Sequence, residues 1–348
     1  MHLPASLVSM AAVACAVSVN LDRRATLLNV KLEMTGNTAV KAIIANNGAD
    51  DLKIFKTGTL LEDIATEKIN VFQADSKVAF EGIRLRVSTA SLEEDAFQTI
   101  RAGEVVEKEF DIAHMHDLST GGAFDIVANG AVSYAHVNST ELLGTVPLDS
   151  NTLSIQVDGA EAQASRAAFI ERRTVVQSDC TSSKKTVVTT AISNCRSWAT
   201  KAQSAANAGT KLTEYFKSSS SSVISTVSGV FSKMASECGS TTSGISKTYC
   251  SDVYGACSSG VLAYTLPSGS YIAYCNLFFT ALSPVTSTCH AQDQAGTVVH
   301  ETTHLSQIKG TQDYGVYGYS AVRSLSASQN LNHADTYALY AQAVVLNC

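Results

Sequence analysis

After residue 19 the sequence has no apolar run long enough to cross a bilayer, so no membrane span is expected. It has no strongly basic half either. Residues 1–173 carry 15 Lys and Arg against 23 Asp and Glu, net −8, and residues 174–348 carry 10 against 8, net +2. A nucleic-acid surface needs a basic patch or stripe, so that class is excluded. The nine cysteines include no Cys-x-x-Cys pair, which argues against a zinc cluster built from thiols. No glutamate follows Glu301, and position 310, six residues after His304, is glycine rather than histidine. Both gaps limit which metal-ligating side chains the C-terminal end can offer.

What is present centres on Val298-Val299-His300-Glu301-Thr302-Thr303-His304-Leu305, a His-Glu-x-x-His stretch. On a helix, His300 and His304 project from one face within reach of one metal ion. Glu301 lies beside that ion without ligating it, placed to take a proton from a water at the open position. Zinc proteases of this kind need a third ligand from downstream. A third histidine six residues on and a later glutamate are both missing, so Asp313, His333 and Asp335 remain. Ser326-Ala327-Ser328-Gln329 reads as a capping box opening a helix that carries Asp335 on the same face as Leu331, Ala338 and Leu339. A carboxylate on an inward stripe needs a partner, and zinc would serve, so Asp335 is the preferred ligand. Asp313, in the turn-like Gly310–Gly315, suits a supporting role, and His333 points away around the helix.

Together with Gly310-Thr311-x-Asp313, Tyr317-Gly318-Tyr319 and Asn332-His333-Ala334-Asp335-Thr336-Tyr337, the motif resembles the deuterolysin family of aspzincin zinc endopeptidases, of fungal neutral protease type. The resemblance extends through Val261–Ser268 and Cys289–Ala295 and covers about Thr174 to Cys348. It implies one zinc on His300, His304 and Asp335, Glu301 as general base and Asp313 as a further essential carboxylate. It implies protein or peptide substrates, basic proteins among them. It also implies the disulfides Cys180–Cys250, Cys257–Cys275 and Cys289–Cys348, leaving Cys195 and Cys238 as an extra pair. One departure stands out. The family carries a catalytic tyrosine eleven residues before the cysteine matched by Cys289, and here that position is Phe278. The loss of a hydroxyl there predicts a slow enzyme that Phe278→Tyr would speed up, unless Tyr274, Tyr317 or Tyr319 substitutes.

The rest of the chain reads as a secreted precursor. Residues 5–19 are small and apolar with Ala14-Cys15-Ala16 as a cleavage site, so residues 1–19 form an expected signal peptide. Residues 20–173 hold short apolar runs at sandwich-like spacing, among them Leu28–Met34, Ile83–Val87, Val105–Phe110 and Phe124–Val132. They predict an all-β, sandwich-like propeptide domain that inhibits the enzyme intramolecularly or aids its folding. Asn138-Ser139-Thr140 is an N-glycosylation acceptor. Arg172-Arg173 marks the processing site. Residues 174–348 then form a mainly α metalloprotease domain of zincin type. Two helical stripes, around Val188–Ala202 and Val223–Met234, are core, and Leu262–Leu266 with Tyr271–Tyr274 makes a β-hairpin. Eight of the nine cysteines fall in this part, an even count suited to disulfides outside the cell. Two rival readings are a zinc-binding secreted protein weakened by Phe278, acting as a binding module, and a secreted structural or cell-wall protein.

Overall fold

The computed structural model describes residues 27–90, 92–171, 179–241 and 244–348. The expected signal peptide, the Arg172-Arg173 pair and Thr174 lie outside the described residues. Among the described residues no helix is long and apolar enough to cross a membrane.

Strict alternation builds the N-terminal half. In Leu28–Met34, Leu28, Val30 and Leu32 turn inward while Asn29 and Lys31 face out. This strand belongs to a seven-stranded sheet. Its spatial order is Phe97–Ile100, Leu52–Phe55, Asn129–Ala135, Leu142–Ser150, Leu28–Met34, Ala39–Asn46, Val105–Asp111. The sheet is mixed, because Leu28–Met34 runs parallel to Leu142–Ser150 and antiparallel to Ala39–Asn46. A second sheet holds Leu153–Val157, Gly122–Val127, Asn70–Gln73 and Ser76–Lys77. Val30, Ile44 and Val146 of the first sheet share one core with Val71, Phe124 and Ile155 of the second. The two sheets pack as the sandwich expected from the sequence, but the half is not all-β as expected, because Gly159–Glu171 forms a helix. Asn138 is exposed in the turn after Asn129–Ala135, a position an oligosaccharide can reach.

One strand departs from the expectation. Arg84–Val87 does not join either sheet of the sandwich. It pairs antiparallel with Val261–Leu266 of the C-terminal half, in a sheet ordered Lys247–Tyr249, Tyr271–Tyr274, Val261–Leu266, Arg84–Val87. The short apolar run Ile83–Val87 has the right period for a strand, but period does not say which sheet receives it. Around this junction a third core forms from both halves: Phe55, Leu85, Val87 and Phe97 pack with Tyr249, Val261, Tyr264 and Tyr317.

In the C-terminal half, Ser182–Asn207 and Ser221–Glu237 pack through the two predicted stripes. Ala191, Cys195, Trp198 and Ala202 meet Val227, Phe231 and Met234 in one buried core. The serine run ends as a cap: the Ser220 hydroxyl accepts from the Val223 amide and opens the second helix. All four expected cysteine pairs are bonded: Cys180–Cys250, Cys195–Cys238, Cys257–Cys275 and Cys289–Cys348. The predicted hairpin Val261–Leu266/Tyr271–Tyr274 is also there.

Candidate metal centre and catalytic site

The helix Gln294–His304 carries the motif and is buried along its whole length. Asp293 caps its start, accepting from the Gly296 amide at 2.7 Å. Past its end, Gly310 takes φ +67°, a left-handed conformation that glycine adopts without penalty. The chain reverses there, and the Thr311 amide bonds back to the Thr303 carbonyl at 3.1 Å. That reversal brings Asp313 to the face of the helix where both imidazoles point.

The Nε2 atoms of His300 and His304 lie 3.1 Å apart. Asp313 Oδ1 is 3.1 Å from the first and 3.4 Å from the second. These three atoms are the buried group whose geometry could hold a metal ion. The tautomers agree with that role. His300 Nδ1 faces Asp335 Oδ1 at 3.0 Å, and His304 Nδ1 faces the Thr311 carbonyl at 3.0 Å. The Asp335 carboxylate and the Thr311 carbonyl suit Nδ1–H tautomers, in which both Nε2 lone pairs point at one another and at a carboxylate; Arg86 Nη1, also 3.0 Å from His300 Nδ1, can only donate and competes for that nitrogen. Three converging acceptors repel one another, and a cation resolves the conflict. Burial, with the Arg86 guanidinium beside it, holds His300 well below its usual pKa and so neutral, as a ligand must be. Burial also lowers the affinity of His304 for a proton, but the Asp313 carboxylate outweighs this and raises it. A proton on His304 and a metal cation therefore compete for the same place.

The expected third ligand is thus rearranged. The structure groups Asp313, not Asp335, with the two Nε2 atoms. Asp335 stands on the far side of the His300 ring, and its Oδ2 accepts from the Gly318 amide at 2.6 Å. The local reason is a broken helix. Ser326 and Gln329 do form the predicted capping box, but that helix stops at Asn330. Gln312 then pairs with the segment at Asn332–Ala334, and a new helix, Ala334–Leu346, begins with Asp335 in its first turn. His333 is buried and bonds Thr336 Oγ1 and the Val316 carbonyl, so it fixes the loop that carries Asp313.

Glu301 has one oxygen held and one free. Thr265 Oγ1 donates to Oε2 at 2.6 Å, while the buried Oε1 has no hydrogen-bond partner among the described residues. Burial pushes the Glu301 carboxyl up to about 7, suited to passing a proton near neutrality. Sequence reading did not single out Thr265. Its place in the predicted hairpin was the available signal.

Phe278 packs in the helical core. Its buried ring lies 4.4 Å from Tyr274 and 5.1 Å from Phe279. Tyr319 stacks on His290 at 3.7 Å and bonds Glu214, away from the motif. Tyr317 has the stronger claim: it is buried, and Asp313 and Glu301 add to burial in holding its hydroxyl protonated. Tyr274 also feels Glu301, after burial, but its ring packs in the core with Phe278. Tyr317→Phe is therefore expected to lower kcat on the order of a hundredfold with little change in KM. Phe278→Tyr, which buries a new hydroxyl in an apolar core, is expected to lower thermal stability without raising kcat. Steady-state kinetics and a melting curve on the two processed variants check both; an unchanged kcat in Tyr317→Phe removes the tyrosine from the site.

The whole chain, residues 1–348, matches the family model of the deuterolysin metalloprotease (M35) family. The chain belongs to that family. A neutral protease 2 homolog of Colletotrichum graminicola is 54% identical over 97% of this chain and 97% of its own length. One from Phaeosphaeria nodorum is 56% identical over 99% of this chain and 98% of its own. Among solved structures, a zinc peptidase from Grifola frondosa is 26% identical, with a TM-score of 0.41, covering 47% of this chain and 97% of that one. Family membership makes the chain a metalloendopeptidase, and His300, His304 and Asp313 are the residues that could hold its metal.

Proposed function

We propose that the protein is a secreted zinc endopeptidase, made as a precursor and activated by cleavage after Arg172-Arg173. The observation that carries the catalytic part is the convergence of His300 Nε2, His304 Nε2 and Asp313 Oδ1 next to the unpartnered Glu301 Oε1. Two imidazoles and one carboxylate, all buried, suit zinc and leave room for a fourth ligand. Zinc, when bound there, supplies a Lewis acid beside the scissile carbonyl. Glu301 Oε1 takes the proton of the attacking water and passes it to the leaving amine, while Thr265 keeps the carboxylate from rotating away. The Tyr317 hydroxyl donates to the oxygen on which charge develops. Asp335 orients His300 through Nδ1. The strand Val261–Leu266 offers backbone groups to an extended protein or peptide substrate.

The maturation part rests on composition and placement. The dibasic pair lies between the sandwich half and the disulfide-rich half, and all four disulfides fall after it. Residues 1–19 would then be the signal peptide, 20–173 the propeptide and 174–348 the mature enzyme. N-terminal sequencing of the secreted, casein-hydrolysing form is expected to begin at or near Thr174. Metal analysis is expected to give one zinc per chain. Active secreted enzyme that permanently retains residues 20–173 would refute the precursor reading, and hydrolysis unaffected by a chelator would refute the zinc reading.

A further inference from the structure

The strand Arg84–Val87 reaches the catalytic site through Arg86. Its partners on Val261–Leu266 run antiparallel: Arg84 opposite Thr265, Leu85 opposite Tyr264, Arg86 opposite Ala263, Val87 opposite Val261. Leu85 and Val87 lie on one face, in the core shared by the two halves. Arg84 and Arg86 lie on the other, and both are buried. Arg84 pairs with Glu67 of its own half, and Glu67 also accepts from Gln312 at 3.1 Å. Arg86 goes further. Its Nη1 forms an ion pair with Asp335 Oδ1 and lies 3.0 Å from His300 Nδ1. Gln292 of the C-terminal half clamps the strand's exit, donating to the Val87 carbonyl and accepting from the Thr89 amide, both at 2.7 Å.

A buried guanidinium needs a buried counter-charge. Among the described residues, the carboxylates that act on Arg86 are Asp335, Glu301, Asp313 and Asp293. All four belong to the C-terminal half, and the first three to the catalytic site. An extended substrate would need the same strand edge and the same approach to Glu301, so the two are mutually exclusive. We propose that residues 84–87 are a built-in pseudosubstrate and that Arg86, paired with Asp335, is the latch that keeps the unprocessed chain silent. This rests on the protease reading. Covalent linkage makes insertion intramolecular, with a high effective concentration. Cleavage at Arg173 turns it into a bimolecular complex that dissociates on dilution. The latch thus explains how one cut, far along the chain from the site, frees it.

The test uses the full chain with Arg172→Ala and Arg173→Ala, so that it stays unprocessed, with and without Arg86→Gln. Two quantities are read: cleavage of a fluorogenic peptide, and hydrogen exchange of the amides of residues 84–88 and 261–266. Arg86→Gln is expected to raise cleavage at least tenfold over the silent parent and to speed exchange at both strands by a similar factor. Exchange in Leu28–Met34 should not change, which shows that the sandwich is intact; Arg86→Met takes its place if that protection is lost. Exchange at 84–88 as slow as in the parent would overturn the latch. Wild-type chain cut at Arg173 and diluted is the reference. If it cleaves the peptide while Arg86→Gln changes neither quantity, the latch fails and the protease reading stands. If it never cleaves, the protease reading fails by itself, and exchange still decides whether Arg86 holds the strand.

Discussion

Glu301→Gln in the processed enzyme is expected to keep its full metal content and to lose about a hundred- to ten-thousandfold in kcat, the usual range for removing a positioned general acid–base. The amide fills the same space and can still accept from Thr265 through its oxygen, so the site should not collapse. It cannot accept the proton of water at Oε1, the atom that has no partner among the described residues. KM should change little, because the lost step belongs to the transition state. Metal analysis beside steady-state kinetics separates the outcomes. Undiminished hydrolysis would remove Glu301 from proton transfer; parallel loss of metal would mean that the carboxylate supports the centre rather than the reaction.

Part of this arrangement could be read from the chain, and what could not be read shares one cause. The His300/His304 pair was legible because four residues along a helix fixes two side chains on one face before any tertiary contact exists. The core stripes of Ser182–Asn207 and Ser221–Glu237 were legible for the same reason. The third carboxylate was not. Asp335 looked correct on the assumption that the helix opened by Ser326 continued, but the pairing of Gln312 with Asn332–Ala334 interrupts it. Asp313 looked secondary because a turn carries no periodicity, and its direction comes from the left-handed Gly310 and from the Thr303–Thr311 bond. Arg86 was invisible for a related reason. Alternation in Ile83–Val87 announces a strand, yet only pairing with Val261–Leu266 takes it out of the sandwich. Arg86 on the inward face of that short strand was the clue, since an inward charge needs a partner and only Arg84 finds one in its own half, at Glu67.

Asp313 and Asp335 should separate cleanly on metal binding. Asp313→Ala removes the carboxylate oxygen that lies 3.1 and 3.4 Å from the two Nε2 atoms. Only the imidazoles would remain, and the processed variant is expected to lose its zinc in a dialysis that leaves the wild type loaded. Asp335→Ala leaves those three donors in place. It removes the acceptor at His300 Nδ1, so the ring loses its fixed tautomer and orientation, and zinc affinity should fall about ten- to a hundredfold. The Asp335 variant should recover zinc at raised concentration, and the Asp313 variant should not. Competition against a chromogenic chelator measures both on protein freed of residues 20–173, where Arg86 no longer contributes charge. The reverse ranking, with Asp335→Ala the emptier protein, would return the ligand to Asp335 and make Asp313 the supporting carboxylate. The geometry argues against that reversal: Asp335 stands at His300 Nδ1, on the opposite side of the ring from the Nε2 atom that faces His304 Nε2 and Asp313 Oδ1.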